Sequence, residues 1–169
     1  MAERKDRLCS ALEKLFRERN VELFVSALAI TGCSERAEDA VQEAFYRLFR
    51  LQDRPRHLKA YVFRSVRNAA LDQVQRNRPN CPIPIEDYEG IFDWREGPAD
   101  TAVMNELRRD VAQGMKTLSE DERETIINHI YADLSFREIA RIRGVSINTA
   151  GSWYRRGMEK LRRELGNKP

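Results

Sequence analysis

The stretch SFREIARIRGVSINTAGSWYRR, Ser135 to Arg156, constrains the fold more than any other part of the chain. Its apolar residues mark two short helices hinged at Gly144. Ile139 and Ala140 pack the first helix, with alanine where two helices must approach closely. Gly144 falls at the turn, where a positive φ favours a residue without a Cβ. Val145 packs beneath the turn, and Ser146 offers an oxygen to cap the second helix. Ala150, Tyr154 and Met158 then form that helix's inward face. Two helices joined by a tight turn at this spacing form a helix-turn-helix, a unit whose second helix can enter the major groove of DNA.

The outward side of the second helix carries Ile147, Asn148, Gly151, Ser152, Arg155 and Arg156, with Thr149 beside them. Asn and Arg suit bidentate contacts to base edges, and Ser can bond to base or phosphate. Lys160, Arg162, Arg163 and Lys168 downstream suit phosphates, which position a protein without specifying sequence. A helical hairpin with a solvated basic face would share this pattern. Gly151 costs about 1 kcal/mol against alanine in mid-helix and needs a reason. Two are open: close approach of the backbone to DNA, or room for Trp153.

Net charge is only +3, but it is segregated along the 169 residues. Residues 47–78 hold nine basic and two acidic groups, and residues 137–169 hold nine basic and three acidic. Between them, residues 80–106 hold seven acidic groups and one basic. Two basic blocks flanking an acidic one predict two surfaces that meet a polyanion.

Other classes find little support. No apolar run reaches the length of a membrane span, and MAERKDRLCS has no apolar stretch behind its charges. The three cysteines, Cys9, Cys33 and Cys81, are odd in number and lack CxxC pairing. That pattern predicts reduced thiols in a cytoplasmic protein, with neither a disulfide framework nor a metal site. His57 and His129 have no ligand partners nearby in sequence. No glycine-rich phosphate loop, nucleophile elbow or HExxH motif occurs, so the expectation is a non-enzyme without cofactor.

From Leu8 to Arg78 the apolar residues recur at helical spacing, with Pro55 and Pro79 at segment ends. In AEDAVQEAFYRLFRL, Ala37, Val41, Ala44, Phe45, Leu48 and Phe49 form one face, and Asp39, Gln42 and Glu43 lie largely opposite. In LKAYVFRSVRNAALDQVQRNR, the expected buried set is Tyr61, Val62, Val66, Ala69, Leu71 and Val74. Arg64, Arg67, Asn68, Arg76 and Arg78 are its polar positions. The run NCPIPIEDYEGIFDWREGPAD breaks the period with three prolines and two glycines. Ser119 and Glu122 form a capping-box pattern that starts a further helix. The expectation is an all-α chain of two small helical domains, residues 8–78 and 105–166, joined by an acidic linker over 79–104.

This order of motifs resembles a bacterial extracytoplasmic-function sigma factor of the sigma-70 family over nearly the whole chain. LAITGCSERAEDAVQEAFYRLFR is similar to the core-polymerase-binding part of sigma region 2. LKAYVFRSVRNAALDQVQRNR is similar to its promoter-melting and −10-reading part. LSEDERETIINHIYADLSFREIARIRGVSINTAGSWYRRGMEKLRREL is similar to region 4, which reads the −35 element.

The resemblance implies core RNA polymerase as a partner, through the β′ coiled coil and the β subunit, together with promoter DNA and an anti-sigma factor. It implies that Asp39, Gln42 and Glu43 meet the β′ coiled coil, and that Asn68 reads an extruded −10 base. Arg64, Arg67, Arg76 and Arg78 would line the strand's path. Tyr61 and Phe63 are open to two roles, strand separation or core packing. Asn148, Thr149, Gly151, Ser152, Arg155 and Arg156 would serve the −35 duplex, and the acidic linker would follow the RNA exit path.

Departures stand at three positions. Gly151 replaces a frequent lysine or arginine, Trp153 a frequent arginine, and Tyr61 a frequent tryptophan. The alternative is a stand-alone helix-turn-helix regulator that binds duplex operator without polymerase.

Overall fold

The computed structural model describes residues 2–76, 110–111 and 113–166. Their regular structure is helical throughout, with no strand among the described residues. The first half contains α1 (Ala2–Thr31), α2 (Ser34–Leu48) and α3 (Leu58–Arg76). The second contains α4 (Glu120–Ile130), α5 (Phe136–Arg143) and α6 (Ile147–Gly166). The linker proposed over 79–104, with Arg78 and Cys81, lies outside the described residues.

Helix α1 ends where Gly32 turns left-handed at φ 60°. The Thr31 hydroxyl donates to the Cys33 carbonyl at 3.1 Å and steadies the bend into α2. Helix α2 buries Ala37, Ala40, Val41, Ala44, Phe45 and Leu48, the stripe its spacing predicts. Phe49 is half-buried at the stripe's end.

One core assignment in α3 is corrected. Tyr61 is 39% exposed, whereas Phe63 is fully enclosed beside Val62 and Val66. The buried stripe of α3 runs Leu58, Val62, Phe63, Val66, Ala69 and Ala70, and Tyr61 falls outside that arc. Leu71 and Val74 are half-buried at its edge.

The second half is held by capping. The Glu122 N–H donates to Ser119 Oγ at 3.3 Å, and the Ser119 N–H to Glu122 Oε2 at 3.0 Å. A second box, unanticipated from the sequence, starts α5: the Ser135 N–H donates to Glu138 Oε2 at 2.8 Å, and the Glu138 N–H to Ser135 Oγ at 3.3 Å. Each box satisfies helix-start donors that have no partner within the helix. Gly144 adopts the left-handed conformation, φ 68° and ψ 35°, and its N–H reaches the Ala140 carbonyl. Ser146 caps α6, accepting from the Thr149 N–H at 3.0 Å.

His129 is engaged structurally. Its Nδ1 donates to the Leu134 carbonyl at 2.7 Å, and its ring stacks on Phe136 at 4.4 Å with Tyr154 edge-on at 5.0 Å. Among the described residues no group of three or more His, Cys, Asp and Glu could hold a metal.

The two halves are docked. Helix α1 packs on α4 and α3 on α5, so the apolar core continues from one half into the other. At the centre of the seam, the buried Ser26 hydroxyl donates to Asn128 Oδ1 at 2.7 Å.

Candidate nucleic-acid interface

On α6, the inward residues Ala150, Gly157 and Leu161 are buried. Asn148, Ser152 and Arg155, spaced four and three apart, share the opposite side. An Arg155 guanidinium N–H donates to Ser152 Oγ at 3.3 Å, so the two polar heads lie together on that surface. A Cβ added at Gly151 would meet nothing within 4 Å. Room for Trp153 therefore does not account for the glycine, which leaves a bare, approachable strip of backbone amid this stripe.

The other two candidate residues of α6 point elsewhere. Arg156 Nε lies 3.8 Å from Glu122 Oε1 and turns toward α4, next to Lys160, whose Nζ reaches Glu122 Oε2 at 2.7 Å. Thr149 shares its hydroxyl with Ser146 at 2.8 Å and belongs to the cap. Trp153 lies against Arg143, whose Cζ is 4.9 Å from the indole centre.

On α3, Tyr61, Arg64 and Asn68 are exposed and fall on one stripe at spacings of three and four. Beside them is a hollow of about 300 Å³, edged by Arg56 and His57 of the preceding loop and by Arg141 of α5. The sequence reading did not place Arg56, His57 and Arg141 at this stripe, although the run DRPRH before α3 was a visible signal. Arg67 turns away from this stripe and pairs with Glu124 of α4 at 2.7 Å. Arg76 Nη1 lies 3.7 Å from Glu43 Oε2.

Asp39 and Gln42 stand exposed on α2, whereas Glu43 is partly satisfied by Arg47 at 2.5 Å. Next to Gln42 a groove of about 590 Å³ separates α1 from α2, walled by Phe16, Phe45, Tyr46 and Phe49. Phe16 is 42% and Tyr46 59% exposed, a large apolar presentation for a surface. Such patches mark sites where another macromolecule docks. Phe16 and Tyr46 were also missed from sequence, because helical periodicity assigns aromatics to the core by default.

These surfaces define a class: a helical protein that presents two separate polar stripes bearing arginine, on α3 and α6, and a third, aromatic face between α1 and α2. The Sigma-70 region 2 family model matches residues 15–79, and the Sigma-70, region 4 model matches residues 108–161. The chain belongs to the sigma-70 family, in its extracytoplasmic-function group.

The ECF RNA polymerase sigma factor SigM of Mycobacterium tuberculosis is 28% identical over 159 residues, covering 92% of this chain and 78% of that protein. SigW of Bacillus subtilis is 27% identical over 145 residues, 79% of this chain and 78% of SigW. CarQ of Myxococcus xanthus is 28% identical over 170 residues, 96% of this chain and 93% of CarQ. The fold is similar to that of the sigma factor RpoE solved in complex with the anti-sigma factor NepR from Bartonella quintana. That match has a TM-score of 0.67 at 24% identity, covering 94% of this chain and 99% of that one.

Proposed function

We propose that the protein is an alternative sigma factor whose residues 8–78 bind core RNA polymerase and hold the melted −10 strand, while residues 105–166 grip the −35 duplex. The observation that carries this reading is the pair of sigma-region matches, in order, on one chain that presents two separate polar stripes.

Asn148, Ser152 and Arg155 suit base edges in the major groove, and Gly151 lets the α6 backbone come close. Tyr61, Arg64 and Asn68 suit an unpaired base: an aromatic face, a cation for the backbone, and an amide for the base edge. Arg67, Arg76 and Arg78 extend the basic path. Asp39, Gln42 and Glu43, with the aromatic groove beside them, suit the β′ coiled coil of the polymerase, and the second half meets the β subunit. The spacing between the two DNA contacts then comes from the polymerase, with residues 79–104 as an acidic tether.

RpoE of Bartonella quintana was solved with an anti-sigma factor, and a regulator of that kind is proposed for this chain. No described helix is long and apolar enough to cross a membrane. The proposed location is the cytoplasm, where polymerase works. A stand-alone regulator is disfavoured, because the relatives named sigma factors match along both halves and not the helix-turn-helix alone.

The test is co-elution of the purified protein with bacterial core RNA polymerase, with a housekeeping sigma factor as competitor. The reading predicts binding that the competitor displaces. Retention of duplex DNA with no polymerase binding would overturn it in favour of the stand-alone regulator.

A further inference from the structure

Ile147 opens α6, directly after the Ser146 cap. It is 48% exposed and takes no part in the apolar core. A β-branched side chain adds little to a helix, and left in water it contributes nothing through burial. Packing within the chain therefore does not explain it.

Its exposure has a local cause. A helical side chain leans back toward the N-terminus and covers the turn before its own Cα. The residue placed to cover Ile147 is the one four positions on, Gly151, which has no side chain. A Cβ at Gly151 would meet nothing within 4 Å, so the space beside Ile147 is open. The two residues together form an apolar notch in the first turns of α6. Its border is polar: Asn148 is exposed next to Ile147, and Arg155 donates to Ser152 Oγ at 3.3 Å beyond Gly151.

In a helix-turn-helix, the N-terminal residues of the second helix contact base edges in the major groove. Of the four bases, only thymine presents a methyl group there. Cytosine, the other pyrimidine, offers a hydrogen at the same carbon.

We propose that Ile147 and Gly151 form a receptor for the C5 methyl of one thymine in the −35 duplex. Ile147 is its apolar wall, and Gly151 leaves the room in which the methyl seats. Asn148 and Arg155 supply hydrogen bonds around it. The notch thus sets base preference by shape at one position, beside neighbours that read polar edges. The inference deepens the assignment of α6 to the −35 duplex and rests on it.

The test uses holoenzyme reconstituted from the full-length chain and bacterial core RNA polymerase. A promoter library randomised over the upstream element is transcribed, and the segment that recurs among productive templates becomes the probe duplex. Each of its thymines is then replaced singly by deoxyuridine, which keeps the base pair and removes only the methyl. Holoenzyme affinity is measured for thymine and uracil duplexes with the unsubstituted chain, Ile147→Ala, Ile147→Val, Gly151→Ala and Ile130→Ala. Ile130 is an exposed isoleucine at the end of α4, outside this stripe.

The proposal predicts one thymine whose conversion to deoxyuridine weakens binding about fourfold, the weight of one buried methyl group. Ile147→Ala and Gly151→Ala should bind the two duplexes equally, the first by losing the wall and the second by filling the notch. Ile147→Val should keep most of the discrimination, and Ile130→Ala all of it. A merely structural role for Ile147 would change affinity for both duplexes alike and leave their ratio intact. No thymine sensitive to loss of its methyl, or the same sensitivity in Ile147→Ala, would overturn the receptor while the sigma assignment stands. So would loss of the discrimination in Ile130→Ala. If the holoenzyme selects no upstream element, the sigma assignment fails and the receptor with it.

Discussion

The indole of Trp153 lies against the guanidinium of Arg143, with Cζ 4.9 Å from the ring centre. Through this contact Trp153 serves the packing of α6 on α5. A cation over an aromatic face contributes about 0.5–2 kcal/mol, more when sheltered from water. Trp153→Ala is therefore expected to lower stability by about 1 kcal/mol or more through lost packing and the lost cation contact. Denaturant midpoints read this directly. Trp153→Arg should destabilise further, because it sets two guanidinium groups against each other.

The two arginines next to each other on α6 should separate cleanly. Arg155 shares the outward stripe with Ser152, and Arg156 leans on Glu122. Arg155→Ala is expected to weaken −35 duplex binding by about 1–3 kcal/mol if it reads a base. Arg156→Ala should weaken duplex binding less, because its guanidinium is turned toward Glu122 of α4. Fluorescence anisotropy with a cognate duplex measures both, and equal losses would contradict the stripe assignment.

Gly157 sits where α6 comes close to α4. A Cβ there would lie 2.6 Å from Ile126 Cδ1 and 3.2 Å from Glu122 Cβ. Gly157→Ala gains helix propensity of about 1 kcal/mol, but the clash with a packed neighbour costs about 1–3 kcal/mol. The net expectation is a destabilised second half, seen as a lower melting temperature. Gly151→Ala, whose Cβ meets open space, should instead stabilise the free protein by about 1 kcal/mol while hindering approach to DNA.

Acid should loosen the second half first. Burial by itself raises the Glu122 carboxyl, but the Lys160 hydrogen bond, the Ser119 bonds and the Lys160 charge outweigh it and hold it below its ordinary value. Glu138 follows the same logic, with burial opposed by Lys59 and Ser135. Because the unfolded carboxyls take up protons at higher pH than the folded ones, this stabilisation is complete above about 4.3 and is lost as pH falls through the depressed folded values. Denaturant unfolding followed over the acid range should show that loss. Glu122→Gln should flatten it while lowering stability near neutrality.

Asn68→Ala is expected to reduce open-complex yield at a cognate promoter without altering polymerase affinity. Permanganate reactivity of the melted strand reports the first, and co-elution the second. A change in polymerase affinity alone would move Asn68 out of the strand-reading role.

Much of this was legible in the residues. The helix-turn-helix was readable because Gly144 and Ser146 are backbone requirements that few residues satisfy, and the structure has both in those roles. The α2 stripe was readable from its period, as was the Ser119 cap from its spacing. Tyr61 was expected in the core and is exposed, whereas Phe63, left open between strand separation and core packing, is enclosed; residues two apart on a helix differ by about 200° in direction, so the two cannot share one face. The second capping box, Ser135 with Glu138, has the same spacing as the first and was overlooked inside the larger motif. The seam was not legible: Arg67 and Glu124 lie 57 residues apart, and no local period encodes their meeting. Nor does periodicity report that Phe16 and Tyr46 border an open groove and not a core.

The most direct measurement is transcription by purified core RNA polymerase on genomic DNA fragments, with and without this protein. The account predicts new, discrete start sites, each preceded by two short shared sequences at constant spacing, that disappear when the protein is omitted. Initiation no different from core polymerase alone, from a protein that still binds duplex DNA by itself, would contradict it.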